Sequence, residues 1–185
     1  MALNLPQTYL IGLCLLLLVI AILVGRQLFK VRKDEMKLIK LEKEDSNTKE
    51  DSAKMYELAS VQLKKRLYPQ ATTTLKQALK TIDNEPDEAK ALIENALGFA
   101  LAAQNDFKAA VIHYKKALSA KSEYPVALNN LGFAYQRLLK EEEAYKNYQE
   151  VLKLDPNNKT AISQIKRLER IIGKDKDQLL DKKGF

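Results

Sequence analysis

Cysteine occurs once in this chain, at Cys14, so no internal disulfide can staple it. Histidine also occurs once, at His113, and the sequence offers it no metal-ligand partner at a recognisable spacing. There is no phosphate-binding glycine loop, no HExxH and no CxxC. His113 is expected on the outer surface of a helix. Glu141, Glu142 and Glu143 form an acidic run, but at a helix start such a run favours the helix dipole and needs no catalytic reading. The chain is therefore not expected to be an enzyme. Catalytic residues, metal ligands, cofactors and a small-molecule substrate are all expected to be absent.

Charge of one sign is missing too, in the sense that matters for nucleic acid. The net charge is +7, yet the bases are spread along the chain, and the densest run, Lys30 to Lys43, is mixed with acids. No aromatic-plus-basic motif accompanies them, so a nucleic-acid partner is not expected. With 185 residues there is room for one ordinary domain and something extra, and the domain can bury a core without staples.

The extra piece is at the start. No charged side chain occurs from Met1 to Gly25, and residues 9–25 read YLIGLCLLLLVIAILVG. From Leu5 to Val24 the run is about 20 residues, which as a helix is about 30 Å, the thickness of a bilayer core. Tyr9 suits one interface and Arg26 can snorkel at the other. A cleaved signal peptide would want a basic start and an A-x-A site, and neither is seen, so residues 1–29 are read as a retained transmembrane anchor. Arg26, Lys30, Arg32 and Lys33 follow the span and no base precedes it. The positive-inside rule then puts the rest of the chain on the cytoplasmic or stromal side. Cys14 reads as a small packing or lipid-facing residue of the span. Residues 30–51, KVRKDEMKLIKLEKEDSNTKED, form a charged linker. Its acids and bases at helical spacing could prolong the membrane helix by a few turns before Ser46, Asn47 and Thr48 break the pattern. Its lysines could also meet lipid headgroups.

Beyond the linker the chain repeats itself. LGFALA at 97–102 returns as LGFAYQ at 131–136, with Leu97/Leu131, Gly98/Gly132, Phe99/Phe133 and Ala100/Ala134 each 34 residues apart. Ala110/Ala144 and Tyr114/Tyr148 keep the same period. A 34-residue period with small and large residues at fixed offsets belongs to helix–turn–helix solenoids. These residues resemble the tetratricopeptide repeat family. The glycines and alanines would let two helices approach closely, and the tyrosines would fill the space beside them. Residues 91–124 and 125–158 are two units. A weaker copy, 52–90, carries Leu58, Ala59, Ala71, Leu75 and Ala78 at matching offsets, with Ala59 in place of the glycine and Leu75 in place of the aromatic. It is longer than the period, and the surplus around residues 82–90 is expected in a turn or a longer second helix. Ile162, Ile165, Leu168 and Ile172 make one apolar stripe, so 159–172 is expected to be a capping helix. Residues 173–185 are expected to be a flexible tail. The fold class is all-α: an N-terminal transmembrane helix, then a three-repeat tetratricopeptide solenoid over 52–158 with a C-terminal capping helix.

The resemblance implies protein binding in a groove lined by the first helices. In the family's register the second, fifth, ninth and twelfth places of each repeat face that groove. Here those are Ala53, Tyr56, Ser60 and Leu63, then Leu92, Asn95, Phe99 and Ala102, then Val126, Asn129, Phe133 and Gln136. The candidate protein-binding residues are Tyr56, Leu92, Asn95, Phe99, Val126, Asn129, Phe133 and Gln136. The amides could hold a partner's backbone and the aromatics could give apolar contact. The phenylalanines could equally seal helix against helix. Members of the family that hold chaperone tails use Lys, Asn, Asn, Lys and Arg at five groove places. This chain has Tyr56, Ser60, Ala96, Val126 and Asn130 there, so no such clamp is expected.

The whole layout, an uncharged start, one span ending near GRQLF, a lysine-rich spacer and three repeats, resembles one group. It is similar to the small anchored tetratricopeptide proteins of cyanobacteria and red-algal plastids that assist photosystem I assembly. The resemblance implies a thylakoid membrane location, protein partners among photosystem I subunits or intermediates, and no cofactor. A tethered receptor for protein targeting or import, or a scaffold in a bacterial envelope pathway, would show the same architecture.

Overall fold

The computed structural model describes residues 5–45, 51–82 and 86–182. Among these, all regular structure is helical: α1 (Leu5–Asp45), α2 (Ser52–Lys64), α3 (Tyr68–Lys80), α4 (Asp87–Ala103), α5 (Phe107–Ala120), α6 (Pro125–Arg137), α7 (Glu141–Leu154) and α8 (Lys159–Lys182). They belong to two units, Met1–Asn47 and Thr48–Phe185.

The first unit is the single helix α1. Its stretch Tyr9–Lys30 is long and apolar enough to cross a membrane, and none of it is buried within the protein. A helix apolar all round has no soluble face. The helix does not stop with the apolar run. It continues through the charged segment to Asp45, so most of the 30–51 linker is helical. Acids and bases three and four residues apart support such a continuation.

In the second unit, helices pair in order. α2 packs on α3, α4 on α5 and α6 on α7, and α3, α5 and α7 each pack on the helix that follows. α2 also touches α4, and α4 touches α6, whereas α3 and α5, or α5 and α7, share no comparable contact. First helices that stay together while second helices spread apart bend the stack. The face carried by α2, α4 and α6 is therefore the concave one.

Each pair is closed by the same turn. Arg66 (φ 61°), Asn105 (φ 65°) and Leu139 (φ 57°) are left-handed, and all three occupy the fifteenth place of their units. The amide after each of them donates back across the turn: Leu67 N to Gln62 O, Asp106 N to Leu101 O, and Lys140 N to Tyr135 O. This satisfies helix-end carbonyls that would otherwise be orphaned. Asparagine tolerates the left-handed region and leucine does not. Leu139 is in addition 80% exposed, so little packing holds it. Leu139→Asn should raise stability by about 0.5 kcal/mol. An unchanged or lower urea midpoint would contradict the strain reading.

The core repeats with the turn. Ala59, Leu97, Ala71, Ala110 and Ala144 are buried, and so are Leu75, Tyr114 and Tyr148. A Cβ placed on Gly98 would lie 2.6 Å from the Tyr114 ring, and one on Gly132 would lie 2.9 Å from the Tyr148 ring. Where the large residue is Leu75, the partner place can carry Ala59. Burial pushes the phenols of Tyr114 and Tyr148 above the usual tyrosine range. Tyr148 Oη donates to Gln136 Oε1 at 2.8 Å.

Two expectations are corrected here. α3 ends at Lys80, so the surplus of the first unit does not lengthen its second helix. Part of it falls in the connection between Lys80 and Asp87, as the turn alternative expected, and the rest lengthens α4, which starts at Asp87, four residues ahead of the repeat boundary, with Asp87 and Glu88 supplying acids to its first turn. The final helix does not end at Ile172. α8 runs to Lys182, and residues 173–182, expected as loose tail, are helical. Two-thirds of KDKDQLLDK is Lys, Gln and Leu, all good helix formers, and Gly173 costs too little to stop the helix. Residues 183–185 lie outside the described residues.

Candidate functional site

The concave face has two kinds of side chain. Leu92 and Phe99 on α4 are 42% and 44% exposed, and Val126 and Phe133 on α6 are 54% and 47% exposed. Directly behind them Ile93, Ala96, Leu97, Ala100, Leu131 and Ala134 are buried. The exposed four are set by spacing: places two and nine of each unit project from one side of a helix, and the intervening apolar places turn to the core.

The phenylalanines seal repeat against repeat, one of the two roles the sequence allowed, and are left partly exposed. The Phe99 ring meets Tyr68 edge-on at 6.5 Å, and Phe133 meets Phe107 edge-on at 6.2 Å. Tyr68 and Phe107 each open the second helix of the preceding unit, so both contacts join neighbouring repeats. Arg137 lies over the Phe107 ring at 4.9 Å. Nearly half of each phenylalanine nonetheless stays open to the groove.

The amides differ from the expectation of a free backbone clamp. Asn95 Nδ2 donates to Tyr124 Oη at 3.3 Å, and Asn95 Oδ1 accepts from Asn130 Nδ2 at 3.0 Å. Asn129 Nδ2 donates to Asn158 Oδ1 at 3.3 Å, an oxygen that also caps α8 through Ala161 N at 3.1 Å. Asn129 Oδ1 is buried without a hydrogen-bond partner. Gln136 Nε2 donates to Gln164 Oε1 at 3.0 Å, and its Oε1 is taken by Tyr148. Tyr124 and Asn158 both hold the thirty-fourth place, at the joint into the next helix. The two asparagines thus lock equivalent joints. Tyr56 is half-buried, and its neighbourhood adds to burial in raising the Tyr124 phenol above the ordinary tyrosine range, against the lowering effect of Asn95.

One polar pair was missed. His113 is not an outer-surface residue: its Nδ1 lies 2.6 Å from Glu94 Oε2, and the side chains are only 18% and 5% exposed. A carboxylate can only accept, so Nδ1–H donates to it. The signal was available. Glu94 occupies the fourth place, where the other units have Met55 and Leu128, both buried, so an acid there needs a buried partner. His113 occupies the place of Thr74, which is buried and donates to Gln62 Oε1 at 3.0 Å. His113→Ala should cost about 1–3 kcal/mol by stripping a buried carboxylate of its donor. A melting curve unchanged from that of the parent chain would contradict the pairing. Among the described residues no group of three or more His, Cys, Asp or Glu side chains is placed to hold a metal.

The geometry agrees with what the chain is similar to. The tetratricopeptide repeat family matches residues 125–158, and a TPR repeat family matches residues 98–138. The first TPR of Spaghetti (RPAP3), solved bound to the HSP90 peptide SRMEEVD, superposes with a TM-score of 0.61 at 23% identity. That match covers 66% of this chain and 94% of the other and shows the fold. The chloroplastic tetratricopeptide repeat domain-containing protein PYG7 of Arabidopsis thaliana is 30% identical over 86% of this chain and 52% of its own length. The protein ycf37 of Guillardia theta is 31% identical over 91% of this chain and 94% of its own length. With end-to-end similarity at that level, two repeats matched by family and a repeat solenoid in the fold, the chain belongs to the ycf37 family of tetratricopeptide-repeat proteins.

Proposed function

We propose that this protein is a membrane-anchored scaffold that assists assembly or stability of photosystem I. In this reading α1 crosses the thylakoid membrane, and the bases Arg26, Lys30, Arg32 and Lys33 that follow the span assign the repeats to the cytoplasmic or stromal side. The tetratricopeptide solenoid is a protein-interaction fold, and what supports binding here is one observation. Leu92, Phe99, Val126 and Phe133 stand 42–54% exposed together on the concave face. Apolar groups gathered in that way mark an interaction surface. The chloroplast relative PYG7 supports a plastid-type membrane, and the resemblance of the whole layout supports the photosystem. The acidic tail of a chaperone is not the favoured partner, because Tyr56, Ser60, Ala96, Val126 and Asn130 supply no positive charge at the clamp places.

The test is photo-crosslinking from the groove. A photoreactive residue at Val126, the most exposed of the four, should trap photosystem I subunits or their assembly intermediates in native membranes. Capture of precursor proteins with targeting segments would instead favour a tethered import receptor and displace this reading.

A further inference from the structure

The kind of segment that fits the groove follows from what its polar atoms are already doing. A groove that grips an extended peptide needs free donors and acceptors, because an extended backbone brings unpaired N–H and C=O groups with it. Here most of those groups already have a partner within this chain. Ser60 Oγ donates to its own helix at Tyr56 O, 2.7 Å away. Asn95 and Gln136 each have both ends of the amide engaged by this chain. Asn129 gives its N–H to Asn158, and its oxygen lies beneath the surface. The twelve groove places also carry no charged side chain, in a chain where 30% of residues are charged. What the face does offer is apolar contact from two parallel rows.

The rows have a useful length. Leu92 and Phe99 are seven residues apart, as are Val126 and Phe133, which is about 10.5 Å along a helix. Adjacent first helices α4 and α6 touch one another. Apolar side chains at i and i+7 of a visiting helix span the same interval, and its backbone arrives already hydrogen-bonded.

We infer that the groove receives a partner in the form of an α-helix, presenting an uncharged apolar face with i, i+3 or i+4, and i+7 spacing, and does not receive an extended strand or an acid-ended tail. The inference rests on the protein-binding reading above and names its occupant. An uncharged groove excludes charge from the buried part of the contact, since an unpaired buried charge is costly. The inter-repeat amides act on the groove side as rigid spacers that keep the two apolar rows in register.

The experiment uses the full chain in lipid nanodiscs and three fluorescent peptides. The first is an alanine-rich helix former with leucines at i, i+3 and i+7. The second is the same sequence with two central alanines replaced by proline. The third is the acid-ended SRMEEVD. The first should bind at least about tenfold more tightly than either of the others, a difference of about 1.4 kcal/mol. Val126→Lys, at a half-exposed site where the fold tolerates change, should abolish that binding while leaving the circular-dichroism melt intact. Equal or tighter binding of the proline or acidic peptide would overturn the inference, and so would an absence of binding by all three. Crosslinks to photosystem I subunits through non-helical segments would overturn it as well while leaving the assembly reading in place.

Discussion

Gly132→Leu should unfold the joint between α6 and α7 and lower the melting temperature of the solenoid by about 10 °C, from a loss of about 3 kcal/mol or more. Even a Cβ at that place meets the Tyr148 ring at 2.9 Å, and the ring is almost fully buried and cannot swing away. Its hydroxyl is also pinned to Gln136. The first repeat shows how the clash is relieved, because there Ala59 faces Leu75, both fully buried. The double change Gly132→Ala with Tyr148→Leu should therefore be less damaging than the sum of its two single changes. A double-mutant cycle reads that coupling directly. Asn129→Ala should cost only about 1 kcal/mol, the value of its bond to Asn158. Equal losses for Gly132→Leu and Asn129→Ala would mean that core and joint have been confused.

The second large effect concerns the anchor. A form lacking residues 1–29 should be soluble, melt like the parent solenoid and fail to support photosystem I assembly. The reason is concentration. Tethering beside the membrane raises the effective concentration of a weak groove to about the millimolar range. An unrelated apolar span in place of Tyr9–Lys30 should restore function, because the tether is needed for position and none of that stretch is buried within the protein. If the soluble form supports assembly as well as the anchored one, the tether is not part of the mechanism. If the unrelated span fails, α1 recognises something in the bilayer itself.

The repeat residues show what periodicity can and cannot reveal. A 34-residue recurrence located Gly98, Gly132, Tyr114 and Tyr148, because close packing of one helix pair on the next demands the same sizes at the same offsets each time. The exposed quartet was legible only through the groove register that the family resemblance implies. The roles of the amides were not. Asn95 and Asn129 recur as a partner-binding pair would, but a joint that must be locked in every repeat leaves the same trace. Only their neighbours Tyr124 and Asn158, 29 residues on, distinguish the two. Glu94 with His113 occurs in a single unit, so no recurrence announced it, and its trace was an acid in an apolar place. The extent of α8 was hidden because its last turns carry charge and no apolar stripe of the kind that marked 159–172. Helix there follows from local propensity.

The central claim is that the exposed quartet on α4 and α6 is used to build photosystem I. The most direct measurement is the ratio of photosystem I to photosystem II in a deletion strain complemented with Phe99→Ala plus Phe133→Ala. The variant must first be shown to be membrane-bound and folded, since each ring also meets a neighbouring repeat. The account predicts a ratio depressed toward that of the uncomplemented strain, with the parent chain restoring it. A deletion strain that keeps a normal ratio through growth and high-light stress would contradict the account, and so would a folded double variant that restores the ratio in full.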